Sequence, residues 1–287
     1  MGMNRELIGT VYEQTEPFTV TAEAARAYAA ATSADIAAYA GDDALVPPMF
    51  GVAYSFGALT TPILDGDLNA DLMRLVHGEQ DMRFAQAVKP GALIRSTGRI
   101  ADIADKSSGE LLVVDIDSRD AQGARVLGVT SSLFVKGPRR KERGDGDLER
   151  SARAAERRAQ REAFEAMPPL FVTTQTVAED QSLRYAEASG DHNPIHVDED
   201  AAKLAGLPGV ILHGLCSMAF VHNALVRHFG GDPLKVARLA VRFAKPVLLR
   251  DELTIDVRGP QSGPLSLRVV NQHDETVLDN GVAELRS

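Results

Sequence analysis

Arg242-Phe243-Ala244-Lys245-Pro246-Val247 reads as a copy of Arg83-Phe84-Ala85-Gln86-Ala87-Val88, at an offset of 159 positions (242 − 83). A second match sets Tyr185 in Arg184-Tyr185-Ala186-Glu187-Ala188 against Tyr28 in Ala27-Tyr28-Ala29-Ala30-Ala31, at an offset of 157 (185 − 28). Two matches at nearly constant offset point to duplication of one unit. Each copy repeats one order of elements: a segment with turn chemistry, a helix, then several strands. In the second copy the helix is expected from about Gly214 to Phe229, with Leu215, Met218, Ala219, Leu225 and Val226 on a broad apolar side and Gly230-Gly231 as the stop. The strands that follow alternate with period two. Leu239, Val241 and Phe243 oppose Arg238, Ala240 and Arg242, and Leu253, Ile255 and Val257 oppose Glu252, Thr254 and Asp256. In the first copy Phe50 to Leu64 is the equivalent helix region, and Leu112, Val114 and Ile116 mark a comparable strand. One apolar helix followed by a run of strands predicts an α+β unit, an antiparallel sheet packed on a helix.

The chain has 287 residues, 44% of them hydrophobic, enough to bury the cores of two ordinary domains. Acidic residues outnumber basic ones, 40 to 31, which argues against bulk nucleic-acid binding. The single cysteine, Cys216, excludes an internal disulfide and a multi-cysteine metal cluster. No apolar stretch is long enough to span a bilayer, and Met1 to Gln14 carries charges without an apolar run, so a cytoplasmic protein is expected. Between the copies, Gly137 to Pro169 is dense in Arg, Glu, Asp and Ala, and Asp147 to Met167 reads as an exposed helix of interleaved charge. The basic run Arg139-Arg140-Lys141 is diluted at once by Glu142, Asp145, Asp147 and Glu149, so it reads as a solvated linker. The expected division is 1–137, a linker over 138–169, and 170–287.

One segment concentrates chemistry: Ser189-Gly190-Asp191-His192-Asn193-Pro194-Ile195-His196-Val197-Asp198. Gly190 permits a positive φ, and Pro194 fixes its own backbone and turns Asn193 away from the helical region. Such a rigid loop lets Asp191 and His196 converge. A carboxylate and an imidazole around one water can move protons in either direction near neutral pH. A plain surface turn would account for Gly190, Asn193 and Pro194, but not for two histidines. His192 and His196 have the spacing of a helical metal pair, which Pro194 between them disfavours. A nucleophilic role for Ser189 or Cys216 lacks an activating motif, and Cys216 lies in the apolar helix. Downstream, Gly206 to Gly214 leads into that helix. A glycine amide at a helix N-terminus can hold a developing oxyanion, or Gly214 simply lets the helix start in a crowded place. His213 is given no role.

Tyr185, Ser189 to His196, and His213-Gly214 together resemble the MaoC-like (R)-specific enoyl-CoA hydratases and 3-hydroxyacyl thioester dehydratases. The resemblance is strong over roughly 171–287. The first copy is similar, more weakly, to the degenerate N-terminal domain of two-domain members. The resemblance implies a double hotdog fold, each half a curved antiparallel sheet around a long helix. It implies that Asp191 and His196 are the acid-base pair, that Asn193 helps hold the water or the pair, and that the Gly214 N–H is the oxyanion donor. The implied reaction is hydration of a trans-2-enoyl thioester, on coenzyme A or acyl carrier protein, to the (R)-3-hydroxyacyl thioester. It implies no metal or redox cofactor, and it allows a homodimer of such chains. In the first copy the 157 offset sets Ala34, Ile36 and Tyr39 opposite Asp191, Asn193 and His196, so one active site per chain is expected. Val46-Pro47-Pro48-Met49-Phe50 either lines an acyl pocket or packs in the core. Two rivals remain. A hotdog thioesterase would carry its carboxylate on the long helix, where Gly214 to Phe229 has neither Asp nor Glu. A non-catalytic acyl-binding subunit would not need the Asp191/His196 pair.

Overall fold

The structure, a computed structural model, describes the backbone of residues 2–41, 44–137 and 146–286; Arg139-Arg140-Lys141 lies outside them. The first half runs β1 (Val11–Glu13), β2 (Phe18–Thr19), α1 (Ala22–Ala31), α2 (Gly51–Leu64), β3 (Leu75–Phe84), β4 (Leu93–Lys106), β5 (Gly109–Asp120) and β6 (Arg125–Lys136). A helix, α3 (Gly146–Ala166), follows where interleaved charge predicts one. The second half runs β7 (Pro169–Thr176), α4 (Gln181–Ser189), α5 (Glu199–Leu204), α6 (Gly214–His228), β8 (Val236–Phe243), β9 (Glu252–Arg258), β10 (Leu265–Val270) and β11 (Thr276–Leu285). All strand pairs are antiparallel, in the order β1-β4-β5-β6-β3-β8-β11-β10-β9-β7, with β2 also on β4. This is the double hotdog arrangement, the two half-sheets meeting at β3 and β8. No helix among the described residues is long and apolar enough to cross a membrane.

The long helices sit where the apolar faces point. On β9, Leu253, Ile255 and Val257 are buried and alternate with more open residues; Leu112, Val114 and Ile116 do the same on β5. α2 lies so close to its sheet that a Cβ on Gly98 of β4 would run into the Ala58 carbonyl oxygen, so this position admits only glycine. Register breaks in β3–β6, β4–β5 and β10–β11 bend the strands around the helices. α6 ends before Gly230 and Gly231, both at positive φ (87° and 84°), as the paired glycines predict.

The seam obeys the repeat. Asp81 pairs with Ala240 and Arg83 with Arg238. Since 240 − 81 is 159, the Asp81/Ala240 pair joins equivalent residues of the two copies, and a pseudo-twofold axis passes through it. The Asp81 carboxylate takes a forked pair of bonds from Arg238 across this seam, at 2.9 and 2.7 Å. On the inner side the other matched residues meet: the Tyr28 and Tyr185 hydroxyls are 3.5 Å apart, both side chains buried. The second half also caps the first. At and just beyond the end of α1, where carbonyls lose the donors of a next helical turn, Arg184, Gln181, Asn223 and Arg227 donate to the carbonyls of Ala30, Ala31, Thr32 and Ser33 respectively.

His222 of α6 is fully buried against Phe84 of the first half, ring centroids 5.2 Å apart, and neither ring nitrogen has a partner. Burial pushes its pKa from 6.5 down to about 3. A histidine held neutral in the fold is protonated first in the unfolded chain. The stability it allows is therefore complete above about pH 6.5 and lost as pH falls toward 3. Denaturant titrations should show stability declining below pH 6.5, and less steeply in His222→Phe. Equal slopes in both proteins would remove His222 from the acid sensitivity.

Candidate active site

The site begins where α4 stops. Gly190 ends the helix at φ 81°, donating its N–H to the Ala186 carbonyl. The Asp191 N–H then bonds the buried Ser189 Oγ at 3.2 Å, and the Asn193 N–H bonds Asp191 Oδ1 at 3.2 Å. Asn193 Oδ1 accepts from the Ile195 N–H at 3.4 Å and precedes a single 3-10 turn, Pro194–His196; Asn193 itself stays outside the helical region, as the proline predicts. This turn carries His196 inward, 9% exposed, while His192 stays in solvent, 3.8 Å from Glu187. Asp191 is half-buried between them. Asn193 touches the pair through its backbone N–H on Asp191, and its side chain is exposed.

His213, immediately before α6, completes the group. Asp191, His196 and His213 each present a polar atom within 4.8 Å of the others. His196 Nδ1 lies 2.8 Å from the Ile211 carbonyl and His213 Nε2 lies 2.9 Å from the Asp191 carbonyl. A carbonyl only accepts, so each of those nitrogens carries the hydrogen. In the neutral rings this leaves His196 Nε2 and His213 Nδ1 with lone pairs, and the latter is buried without a partner. The rings stack at 3.9 Å with planes 26° apart. Three such groups could bind a metal by number. Nitrogen lone pairs lie in the ring planes, however, and planes so nearly parallel do not converge on one ion. His192 is exposed beside Glu187, whereas His196 is buried. Burial lowers the His196 pKa from 6.5, opposed by the Ile211 bond and Asp191. Burial and then the neighbouring His196 bring His213 down to about 4. Both are neutral at pH 7.

Gly214 opens α6, where first-turn amides have no acceptor in the helix and the positive end of the helix dipole is exposed. A Cβ here would lie 2.8 Å from the Phe243 ring, so crowding requires the glycine. The steric reading of Gly214 therefore holds, in a place where the helix start also leaves its amide without a helical acceptor. Cys216 is buried with its thiol pKa pushed well up, and the Ser189 hydroxyl is engaged by the Asp191 N–H, so neither is poised as a nucleophile.

The first half holds the same frame without the groups. Phe50 precedes α2 as His213 precedes α6, and Gly51 stands where Gly214 does. Tyr28 packs on Phe50 at 5.5 Å just as Tyr185 packs on His213 at 4.8 Å. Ile36 and Tyr39 are buried in the core, and the Tyr39 hydroxyl, without a partner, has its pKa raised by burial. Val46, Met49 and Phe50 are buried too.

Two family models match the chain. Residues 161–271 match the MaoC like domain, and residues 18–137 match the MFE-2 hydratase 2 N-terminal domain; between them they cover more than half of the chain. The chain belongs to the MaoC-like family. It is 27% identical over 243 residues to a probable enoyl-CoA hydratase 2 of Dictyostelium discoideum, covering 82% of this chain and 79% of that protein. It is 29% identical over 219 residues to peroxisomal multifunctional enzyme type 2 of Drosophila melanogaster, covering 76% of this chain but only 35% of that longer protein. Its fold matches the crystal structure of a MaoC-like dehydratase from Phytophthora capsici, with TM-score 0.79, 21% identity and 98% of each chain covered.

The tautomers can be checked by 15N NMR across pH. At pH 7 His196 should carry its proton on Nδ1 and His213 on Nε2. His213 should titrate near pH 4 and His196 below 6.5. A doubly protonated His213 at pH 7 would contradict the site described.

Proposed function

We propose that this MaoC-like chain is a hydro-lyase that adds water reversibly to a trans-2-enoyl thioester, forming the (R)-3-hydroxyacyl thioester. The observation that carries it is the convergence of the Asp191 carboxylate and the neutral His196 imidazole, with His213 between them and the frame of α6, within 4.8 Å at the N-terminus of that helix. The names of its relatives, enoyl-CoA hydratase 2 among them, support the same reaction class.

In this reading a water sits between Asp191 and His196 Nε2. The pair removes one proton as the water oxygen attacks C3, and returns one proton to C2. The product gains a C3–O and a C2–H bond at the cost of the double bond. The charge that builds on the thioester oxygen meets the Gly214 N–H, an aligned donor that needs no reorganisation. Asn193 holds the Asp191 carboxylate through its own N–H, and neutral His213 fixes both the Asp191 backbone and the face of His196. No step calls for a metal or redox cofactor.

The proposal divides the chain as 1–137, a degenerate hotdog domain; 138–169, a charged linker; and 170–287, the catalytic domain. The thioester is carried on coenzyme A or acyl carrier protein, and the chain forms a homodimer in the cytoplasm. Some relatives are named as peroxisomal, so cell fractionation decides the compartment.

Purified chain should hydrate a trans-2-enoyl-CoA, followed by loss of enoyl absorbance, and chiral analysis should find the (R) product. Asp191→Asn and His196→Ala should each lose about a hundredfold or more with folding intact. Tyr39→Phe should be near wild type. Because His196 acts as a base, activity should fall as pH drops through a value below 6.5. Wild-type turnover in either of the first two variants would remove that residue from the mechanism.

A further inference from the structure

The first half has no acid-base pair, yet one of its side chains stands at the second half's site. His77 lies near the start of β3, beside a break in the β3–β6 register between His77 and Glu79. Its Nε2 is 2.9 Å from Gln80 Oε1, which also accepts from the buried Ser131 hydroxyl at 2.6 Å. That oxygen only accepts, so Nε2 carries the hydrogen and the ring orientation is set. The ring meets Phe243 edge-on, centroids 5.0 Å apart and planes at 66°. Phe243 is the ring that crowds Gly214, 2.8 Å from where a Cβ would stand. Asp191 is near enough to favour the His77 cation, although burial has the larger effect and lowers its pKa.

The relation is absent from the other half. At the 159 offset, Phe243 corresponds to Phe84 and His77 to Val236. Phe84 does not crowd the first half's glycine. Gly51 is crowded by Leu127 and Tyr54, and Phe84 packs on His222 instead. The His77–Phe243–Gly214 contact therefore occurs only beside the acid-base pair, which a requirement of folding alone would not demand.

We propose that His77 is a positioning residue, supplied by the first half, that holds Phe243 against Gly214 and so sets the oxyanion amide of the second half's site. The inference rests on the hydratase reading for its catalytic meaning, but its structural content does not. The Gly214 amide is therefore read twice in the full-length protein, by turnover and by its 15N–1H resonance.

His77→Ala should lower kcat about tenfold while KM changes less than about threefold, the pattern of a misplaced transition-state contact. The Gly214 resonance should move, with Tm within a few degrees of wild type. His77→Phe keeps an edge-on ring and should restore both kcat and the resonance. The double variant His77→Ala/Phe243→Leu should be no slower than Phe243→Leu by more than about twofold, because residues acting through one contact are not additive. Should His77→Ala prove unfolded, His77→Phe and Phe243→Leu still decide the matter. An unmoved Gly214 resonance in Phe243→Leu, or His77→Phe as slow as a substrate-contact loss, would overturn the clamp. So would wild-type kcat in His77→Ala or multiplicative losses in the double variant. An inactive wild-type chain whose Gly214 resonance still moves in His77→Ala would sink the hydratase reading and leave the clamp standing.

Discussion

Everything in this molecule depends on the antiparallel seam between β3 and β8. Two edge strands, each with unpaired N–H and C=O groups, satisfy each other there and make one sheet of two. The Asp81/Ala240 pair puts a pseudo-twofold axis at its centre, and the Arg238–Asp81 fork closes the solvent side. Because the axis is local, equivalent residues near it must touch. Tyr28 and Tyr185 do so at 3.5 Å, and they begin a line of rings that runs outward to Phe50 on one side and to His213 and His196 on the other. The cluster of Asp191, His196 and His213 is thus built on the same row of packing that joins the halves.

Symmetry of the frame makes the asymmetry of the chemistry legible. Both halves keep the tyrosine, the helix and the glycine that opens it. Only the second keeps a carboxylate and two imidazoles, where the first has Ala34, Tyr39 and Phe50. Ile36, in the place of Asn193, is buried in the core. The halves are nonetheless tied together, because four carbonyls at the end of α1 are capped by side chains of the second half. Separation would expose those groups together with the edges of β3 and β8.

Much of this was readable in the chain itself, for reasons that differ from element to element. The Arg-Phe-Ala match carried its offset of 159 directly into the strand register, since duplicated strands that pair about an axis must join equivalent residues. The rigid loop from Gly190 to His196 was legible because glycine and proline impose backbone geometry locally. His213 has no meaning in the sequence alone, because its partners are the Asp191 carbonyl, 22 residues away, and the face of His196. The signal was present all the same: a histidine before the helix glycine in one copy and Phe50 in the other. His77 belonged to no motif. Its partners Gln80 and Ser131 are in its own half, while Phe243 reaches it only across the seam.

One site of defined polarity in a twofold frame is the feature to test. A crystal structure of Asp191→Asn with an (R)-3-hydroxyacyl-CoA bound tests it most directly. One ligand should bind per chain, its 3-hydroxyl between residue 191 and His196 Nε2, its thioester oxygen on the Gly214 N–H, with nothing in the loop of Ala34 and Tyr39. A hydroxyl placed away from His196, or a second ligand in the first half, would contradict it.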